Sequence, residues 1–418
     1  MVKDGLIGIF MKRVYESIIT EHFQSNKQMA FMCGPRQVGK TTIAKMFQKK
    51  VDQSVYRSWD FPEDRLRILS LTYEPILEGI TLSPATHPLV IIDEIHKFSE
   101  WKNYLKGLYD KYNGQIDLLV TGSARLNVFR KGGDSLMGRY LLYRVHPISV
   151  AEGPNRAFKL FQLPVIVSQE HINDLLHFGG FPEPFSKKSE RFLNQWQNLR
   201  KQQLIYEDIR SLEAIQNLSQ LELLSTILEH QVGQLVNYTS IATKVRVSVP
   251  TIQRWISVLE QVYYCYTVRP WSQNITRSLI KEPKIYLWDW SLNKDIGAKY
   301  KNFVANHLLK AIHFWTDTGL GIFELYFIRT KEKKEVDFLI TKNNQPWILI
   351  EVKASSKASL SKSLQDFKEQ LACPFAFQLV FDLPANQKAL DWLIDNVLDL
   401  ESAPAAIMPA ASFLSMLV

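Results

Sequence analysis

Cysteine is scarce in this chain: three in 418 residues, at Cys33, Cys265 and Cys373, far apart. That spacing excludes a disulfide framework or a cysteine-based metal site and fits buried thiols in a reducing cytosol. Long apolar runs are missing too. No stretch approaches the ~20 apolar residues that a membrane helix needs, and the run after Met1-Val2-Lys3-Asp4-Gly5 is too short for a signal peptide. Internal repeats and low-complexity tracts are absent. The expectation is a cytoplasmic protein with no membrane partner. Neither sign of charge dominates: 50 Lys and Arg stand against 42 Asp and Glu, a net charge of +8 that permits nucleic acid as a partner without requiring it. The length suffices for two to four domains with cores of their own.

What is present begins with Gly34-Pro35-Arg36-Gln37-Val38-Gly39-Lys40-Thr41-Thr42, a match to the phosphate-cradling pattern G-x-x-x-x-G-K-[ST]. The glycines let the backbone turn its N–H groups toward a β-phosphate. Lys40 is of a length to reach the β- and γ-phosphates, and Thr41 carries a hydroxyl suited to Mg²⁺. The apolar run Met29–Cys33 precedes the motif and a helix-compatible stretch from Thr41 to Lys49 follows it. This strand–loop–helix context puts a phosphate at a helix N-terminus. ATP and Mg²⁺ are the cofactors expected.

A second short apolar run, Leu89-Val90-Ile91-Ile92, ends in Asp93-Glu94. Such a run suits a strand buried on both faces of a parallel sheet, with ligands at its carboxyl end. Asp93 fits the carboxylate that supports Mg²⁺ together with Thr41, and Glu94 the base that orients the attacking water. A third strand, Ile116 to Val120, leads into Thr121-Gly122-Ser123, where Ser123 is favoured over Thr121 as a sensor of the γ-phosphate; a helix N-cap is the alternative use of Ser123. Arg125 and Arg139 are candidates for an arginine supplied to a neighbour's site, so a homo-oligomer is expected.

The fold class expected is α/β: a P-loop NTPase sheet over 1–164, a helical lid or connector over 165–215 broken at Phe178–Pro184, a winged helix-turn-helix over 216–275, a restriction-endonuclease-like α/β domain over 276–395, and a tail from 396 to 418. The tail's apolar Ala405–Val418 reads as a docking tail or a final packed segment. In the winged helix, Asn237 or Thr239 caps a short helix, and Ser248 caps a second with Pro250 in its first turn. That second helix buries Val249, Ile252, Trp255, Ile256 and Leu259 and presents Gln253, Arg254 and Ser257 as candidate DNA contacts. Residues 240–284 hold seven Lys or Arg against two acids, which suits a phosphate backbone.

Further on, Glu335–Ile340, a turn at Lys342-Asn343-Asn344-Gln345 and Trp347–Lys353 read as an antiparallel hairpin. Folding about that turn brings Asp337 opposite Ile350 or Glu351. Glu351 and Lys353, two apart on a strand, share a face. Two acids and a lysine thus converge as in the metal site of PD-(D/E)XK nucleases, where carboxylates hold Mg²⁺ and the lysine positions water.

Taken in order, the P-loop, Val90–Glu94, Thr121–Ser123, Gly138-Arg139, Gly179–Glu183 and Glu351–Lys353 resemble the prokaryotic predicted AAA+-superfamily ATPases that join an N-terminal P-loop domain to a C-terminal domain of unknown function. The resemblance spans about residues 10 to 390. It implies an ATPase core, a winged helix and a nuclease-like domain, gives Lys40, Thr41, Asp93 and Glu94 the nucleotide roles, and makes Arg139 the better finger. One departure stands out: related proteins carry a Glu followed by Asn in the helix before the hairpin, and here the segment reads Tyr300-Lys301-Asn302. A charged lysine repels a metal ion, so the resemblance implies a degenerate nuclease. The leading expectation is a Mg²⁺-dependent ATPase with a DNA-binding C-terminal half; the alternatives are an ATP-gated nuclease and a nucleotide-dependent switch that grips protein.

Overall fold

The apolar runs around the phosphate motif form the centre of a sheet. In the computed structural model, which describes residues 13–70, 72–82, 87–123, 136–152, 159–209, 217–272, 282–398 and 400–418, β1 (Met29–Cys33) and β3 (Leu89–Asp93) are buried along their whole length. With β2 (Ser54–Ser58), β4 (Asp117–Gly122) and β5 (Tyr140–Arg144) they make a five-stranded sheet in the order β2-β3-β4-β1-β5. Every pairing in it is parallel. A strand covered on both faces has no polar side to show, hence the unbroken apolar runs. One face packs on the helix Trp101–Tyr112 through Trp101, Leu105, Leu108 and Tyr112.

The chain separates into two compact units at His146/Pro147, the second taking Pro147–Glu152 and then the rest from Ala157 to Val418. The second unit is built on a seven-stranded mixed sheet, β12-β11-β10-β9-β8-β6-β7. Its strands are β6 (Cys265–Pro270), β7 (Lys284–Leu287), β8 (Phe323–Arg329), β9 (Glu335–Lys342), β10 (Gln345–Lys353), β11 (Phe375–Val380) and β12 (Ala406–Pro409). The β9–β10 turn is made by Asn343 and Asn344 with φ of 50° and 66°, a two-residue hairpin geometry that asparagine tolerates. The 22-residue helix Ile296–Asp317 is buried along most of its length, with Phe303, Leu308 and Trp315 in the core.

Helices fill the stretch before this sheet: Gln169–Phe178, Pro182–Lys187, Glu190–Gln202, then Leu218–His230, Tyr238–Val245 and Val249–Gln261. Asn237 caps the Tyr238 helix through the Ser240 N–H, and Ser248 caps the next through the Thr251 N–H. Antiparallel β6 and β7 follow, and β6 also pairs with β8, so one sheet runs across residues 275/276, where the sequence suggested a boundary. The last residues are a packed segment: β12 lies along β11, and Ala410–Ser415 is a buried helix. Val249 is only half-buried, because the cap places it at the helix's open first turn, whereas Val258 joins the core.

A buried ion pair fixes the start of the second unit. Lys310 Nζ pairs with Glu152, donates to Ser149 Oγ (2.8 Å) and approaches Pro147 O (3.4 Å). Beside it, Val150 N donates to His307 Nε2 (2.9 Å) while His307 Nδ1 bonds Phe303 O (2.7 Å); burial lowers the His307 pKa to about 3, so the ring is neutral. Removing one partner of such a pair strands a buried charge. Lys310→Met is therefore expected to destabilise the second unit by about 3–5 kcal/mol, and Lys310→Met with Glu152→Leu to recover much of it. Urea unfolding of the two variants checks this.

Candidate functional site: a nucleotide-binding loop and its carboxylates

The phosphate loop leaves β1 at its carboxyl end and enters the helix Lys40–Gln48. Gly34 lies so close to β5 that a Cβ there would stand 2.2 Å from Val145 O, and Gly39, the helix N-cap, has φ 95°. Both positions therefore require glycine, one for space and one for conformation. Val38 is buried, Arg36 half-buried, and Gln37 and Thr42 are exposed. Lys40 is buried, its ammonium donating to Gly34 O (3.0 Å) and Pro35 O (2.7 Å). Burial lowers its pKa, and the carboxylates of Glu94 and Asp93 work the other way.

Asp93 ends β3 facing this loop. Its Oδ2 accepts from Thr41 Oγ1 (3.0 Å) and from the Tyr56 hydroxyl, and its Oδ1 from the Thr121 hydroxyl. Glu94 follows with a left-handed φ of 57°, its N–H bonded to Thr121 O (3.1 Å). Its Oε2 lies 3.6 Å from both His96 Nε2 and Lys97 Nζ. Burial raises the Glu94 pKa, with Lys40, Lys97 and Arg36 pulling it back and Asp93 adding to it. Lysine, threonine and the two acids thus meet at one end of the parallel sheet, as the sequence expects. The pairing of a threonine hydroxyl with a carboxylate suits Mg²⁺, which takes few protein ligands and completes its shell with water and phosphate oxygens.

Ser123 does not stand free beside the loop: its Oγ bonds His96 Nε2 at 2.9 Å, and both residues are buried. Arg139 sits at the other end of the sheet, where its backbone carbonyl accepts from Met29 N and its guanidinium grips Asp110 (2.7 and 3.1 Å). A five-residue strand separates it from the loop, roughly 16 Å, so within its own chain it is remote from the phosphate loop. Arg125 lies outside the described residues.

Three contributors carry no motif. Tyr56 reaches Asp93 because β2 and β3 are neighbours. His96 lies in the short 3₁₀ turn Ile95–Lys97. Arg13 braces the loop from behind, donating to Val38 O (2.9 Å) and His146 O (2.6 Å). The adjacency of His96 to Asp93-Glu94 was a local signal; the other two depend on strand order.

In the second unit, the hairpin pairs Phe338 with Ile350, which puts Asp337 and Glu351 in adjoining register. Asp337 N donates to Glu351 Oε2 (3.4 Å), and Val352 N to Asp337 Oδ2 (3.0 Å). Both acids are claimed by lysines: Lys301 Nζ sits 2.5 Å from Asp337 Oδ1 and Lys353 Nζ 2.7 Å from Glu351 Oε1. Burial works against the Lys301 charge, yet Asp337 outweighs it and holds the pKa above the usual lysine value. This donor set does not fit a divalent ion, and among the described residues no group of three or more His, Cys, Asp or Glu is placed to hold one.

On the helix Val249–Gln261, Gln253 and Arg254 are exposed and Ser257 half-exposed. Of the basic residues nearby, Lys244 and Arg246 are also exposed, but Lys284 is buried against Glu335 and unavailable to a ligand. Arg277 and Lys281 lie outside the described residues. Among those residues no helix is long and apolar enough to cross a membrane.

Comparison with known proteins agrees with the first unit's geometry. Residues 26–153 match the AAA domain family, residues 169–297 a domain of unknown function (DUF8612) and residues 296–398 another (DUF4143). Uncharacterized proteins of Mycobacterium bovis and Mycobacterium tuberculosis are each 24% identical over 352 residues, covering 81% of this chain and 73% of theirs. Among solved structures, a Walker-type ATPase of Pyrococcus abyssi is 13% identical with a TM-score of 0.39, covering 68% of this chain and 95% of that one. The Aeropyrum pernix ORC1 protein, solved with DNA, is 13% identical with a TM-score of 0.30, covering 71% and 91%.

The raised Glu94 pKa means that its charge opposes folding above that pKa and has no effect below the ordinary carboxylate range. Glu94→Gln is therefore expected to raise the melting temperature near pH 8. The gain should fade as pH falls through the window between the raised and ordinary values, as thermal melts across pH 4–8 would register. Residues 26–153 thus match the AAA domain family, and they contain the lysine, threonine and two acids that meet at the carboxyl end of the sheet.

Proposed function

We propose that this protein is a Mg²⁺-dependent ATPase whose second unit binds DNA and does not cut it. The observation that carries the reading is the meeting of Lys40, Thr41, Asp93 and Glu94 at one sheet end. Lys40 neutralises the β- and γ-phosphates, while the N–H groups from Arg36 to Thr42 cradle them, Gly34 and Pro35 shaping the turn. Thr41 and Asp93 hold Mg²⁺, which when bound draws negative charge from the phosphate oxygens. Glu94 orients the attacking water and takes its proton; burial, by raising its pKa, makes it a better acceptor than an exposed carboxylate. Arg139, far from its own loop, serves a second copy of the chain in a homo-oligomer, where an arginine in trans is worth ~10³–10⁵ in rate.

For the second unit, the helices Tyr238–Val245 and Val249–Gln261 with β6 and β7 act as a winged helix, and Gln253, Arg254 and Ser257 face the duplex. The β9–β10 hairpin with the helix Ile296–Asp317 is the restriction-endonuclease-like part. Lys301 occupies Asp337, which supports a non-cutting role.

The test is ATP turnover by the full chain with and without duplex DNA, with Lys40→Ala as the blank. Turnover should fall to background in that variant, and DNA should stimulate the wild type. Arg254→Ala should weaken DNA binding by about tenfold at low salt, and DNA should survive long incubation with Mn²⁺. Turnover indifferent to DNA, with no DNA binding at any salt, would replace the DNA reading with a protein-gripping switch.

A further inference from the structure

His96 Nε2 faces two oxygens at once. Ser123 Oγ is 2.9 Å away and Glu94 Oε2 3.6 Å. A ring nitrogen carries one proton or one lone pair, so it makes one good hydrogen bond at a time. The imidazole is buried, with 2% of its side chain exposed, so water does not compete for the position. Glu94 is held on its other flank by Lys97, whose ammonium is itself fixed by Asp60 at 2.6 and 2.7 Å. The backbone of Glu94 is left-handed, an unfavourable setting for a side chain that carries a Cβ. Thr121, two residues before Ser123, is committed to Asp93. Each of the paired acids thus has its own hydroxyl from β4 or its end, directly for Asp93 and through His96 for Glu94.

We propose that Ser123, His96 and Glu94 form a positioning relay in which the Nε2 proton of His96 passes its hydrogen bond from Ser123 to Glu94 when Ser123 turns to the γ-phosphate. With Ser123 on His96, Glu94 is held from the Lys97 side alone. With Ser123 on phosphate, His96 holds Glu94 where it meets the attacking water. No bond other than hydrogen bonds is made or broken in the exchange. His96 is a positioning residue that acts through Glu94, and the inference rests on the ATPase reading above.

The experiment measures steady-state ATP turnover and fluorescent-ATP affinity for wild type, Ser123→Ala, His96→Ala, His96→Gln and the double variant Ser123→Ala/His96→Ala. Each alanine variant should lower kcat by about 10- to 100-fold with the affinity unchanged within about twofold. The double variant should be no slower than the slower single, because both act on one link. His96→Gln, whose amide N–H reaches the Nε2 position, should recover part of the loss and serves if His96→Ala does not fold. Multiplying losses, unchanged kcat, or affinity falling in step with kcat would overturn the relay while leaving the ATPase in place. A wild type no faster than Lys40→Ala would overturn the ATPase reading and the relay with it.

Discussion

Asp93 accepts hydroxyl hydrogen bonds from Thr41 on the helix after the loop, Tyr56 on β2 and Thr121 on β4, while its backbone carbonyl accepts from Trp59 N at 3.0 Å. A buried carboxylate is tolerated only when its lone pairs are met, and here meeting them pulls three elements toward one point. Strand β2, the carboxyl ends of β3 and β4 and the threonine of the phosphate loop are held in register by that one side chain. The position of Glu94 follows from it, since Glu94 is the next residue and its N–H is bonded to Thr121 O.

The second unit contains a contrasting arrangement of acids. Asp337 and Glu351 are as close as a shared register allows, yet each is matched by an ammonium. Where Asp93 has neutral hydroxyl donors that a metal ion can displace or join, Asp337 has a fixed positive charge beside it. Two carboxylate pairs in one chain therefore differ in their donors: Asp93 is met by neutral hydroxyls, whereas Asp337 and Glu351 are each met by an ammonium group.

Much of this was legible in the sequence where the signal was local. The phosphate loop, the apolar strand ending in two acids, the Ser248 cap and the Asn343-Asn344 turn each depend on residues within a few positions of one another, and all four took the geometry expected of them. The rest required knowing which strands are neighbours. Tyr56 and Asp93 are 37 residues apart, and Arg13 and His146 are 133 apart. The bond from Ser123 to His96 joins the ends of β4 and β3, so a serine expected to face phosphate was met instead by an imidazole. The apolar last residues could not be told from a docking segment until β12 was seen beside β11.

The account turns on Asp93 acting as the metal-side carboxylate of a nucleotide site. Calorimetric titration of ATP into the wild type and Asp93→Asn, each with and without Mg²⁺, tests this most directly. If the account holds, Mg²⁺ tightens ATP binding to the wild type and has little effect on Asp93→Asn, whose amide keeps the size but not the charge. An equal Mg²⁺ effect in both proteins, or no ATP binding by the wild type, would contradict it.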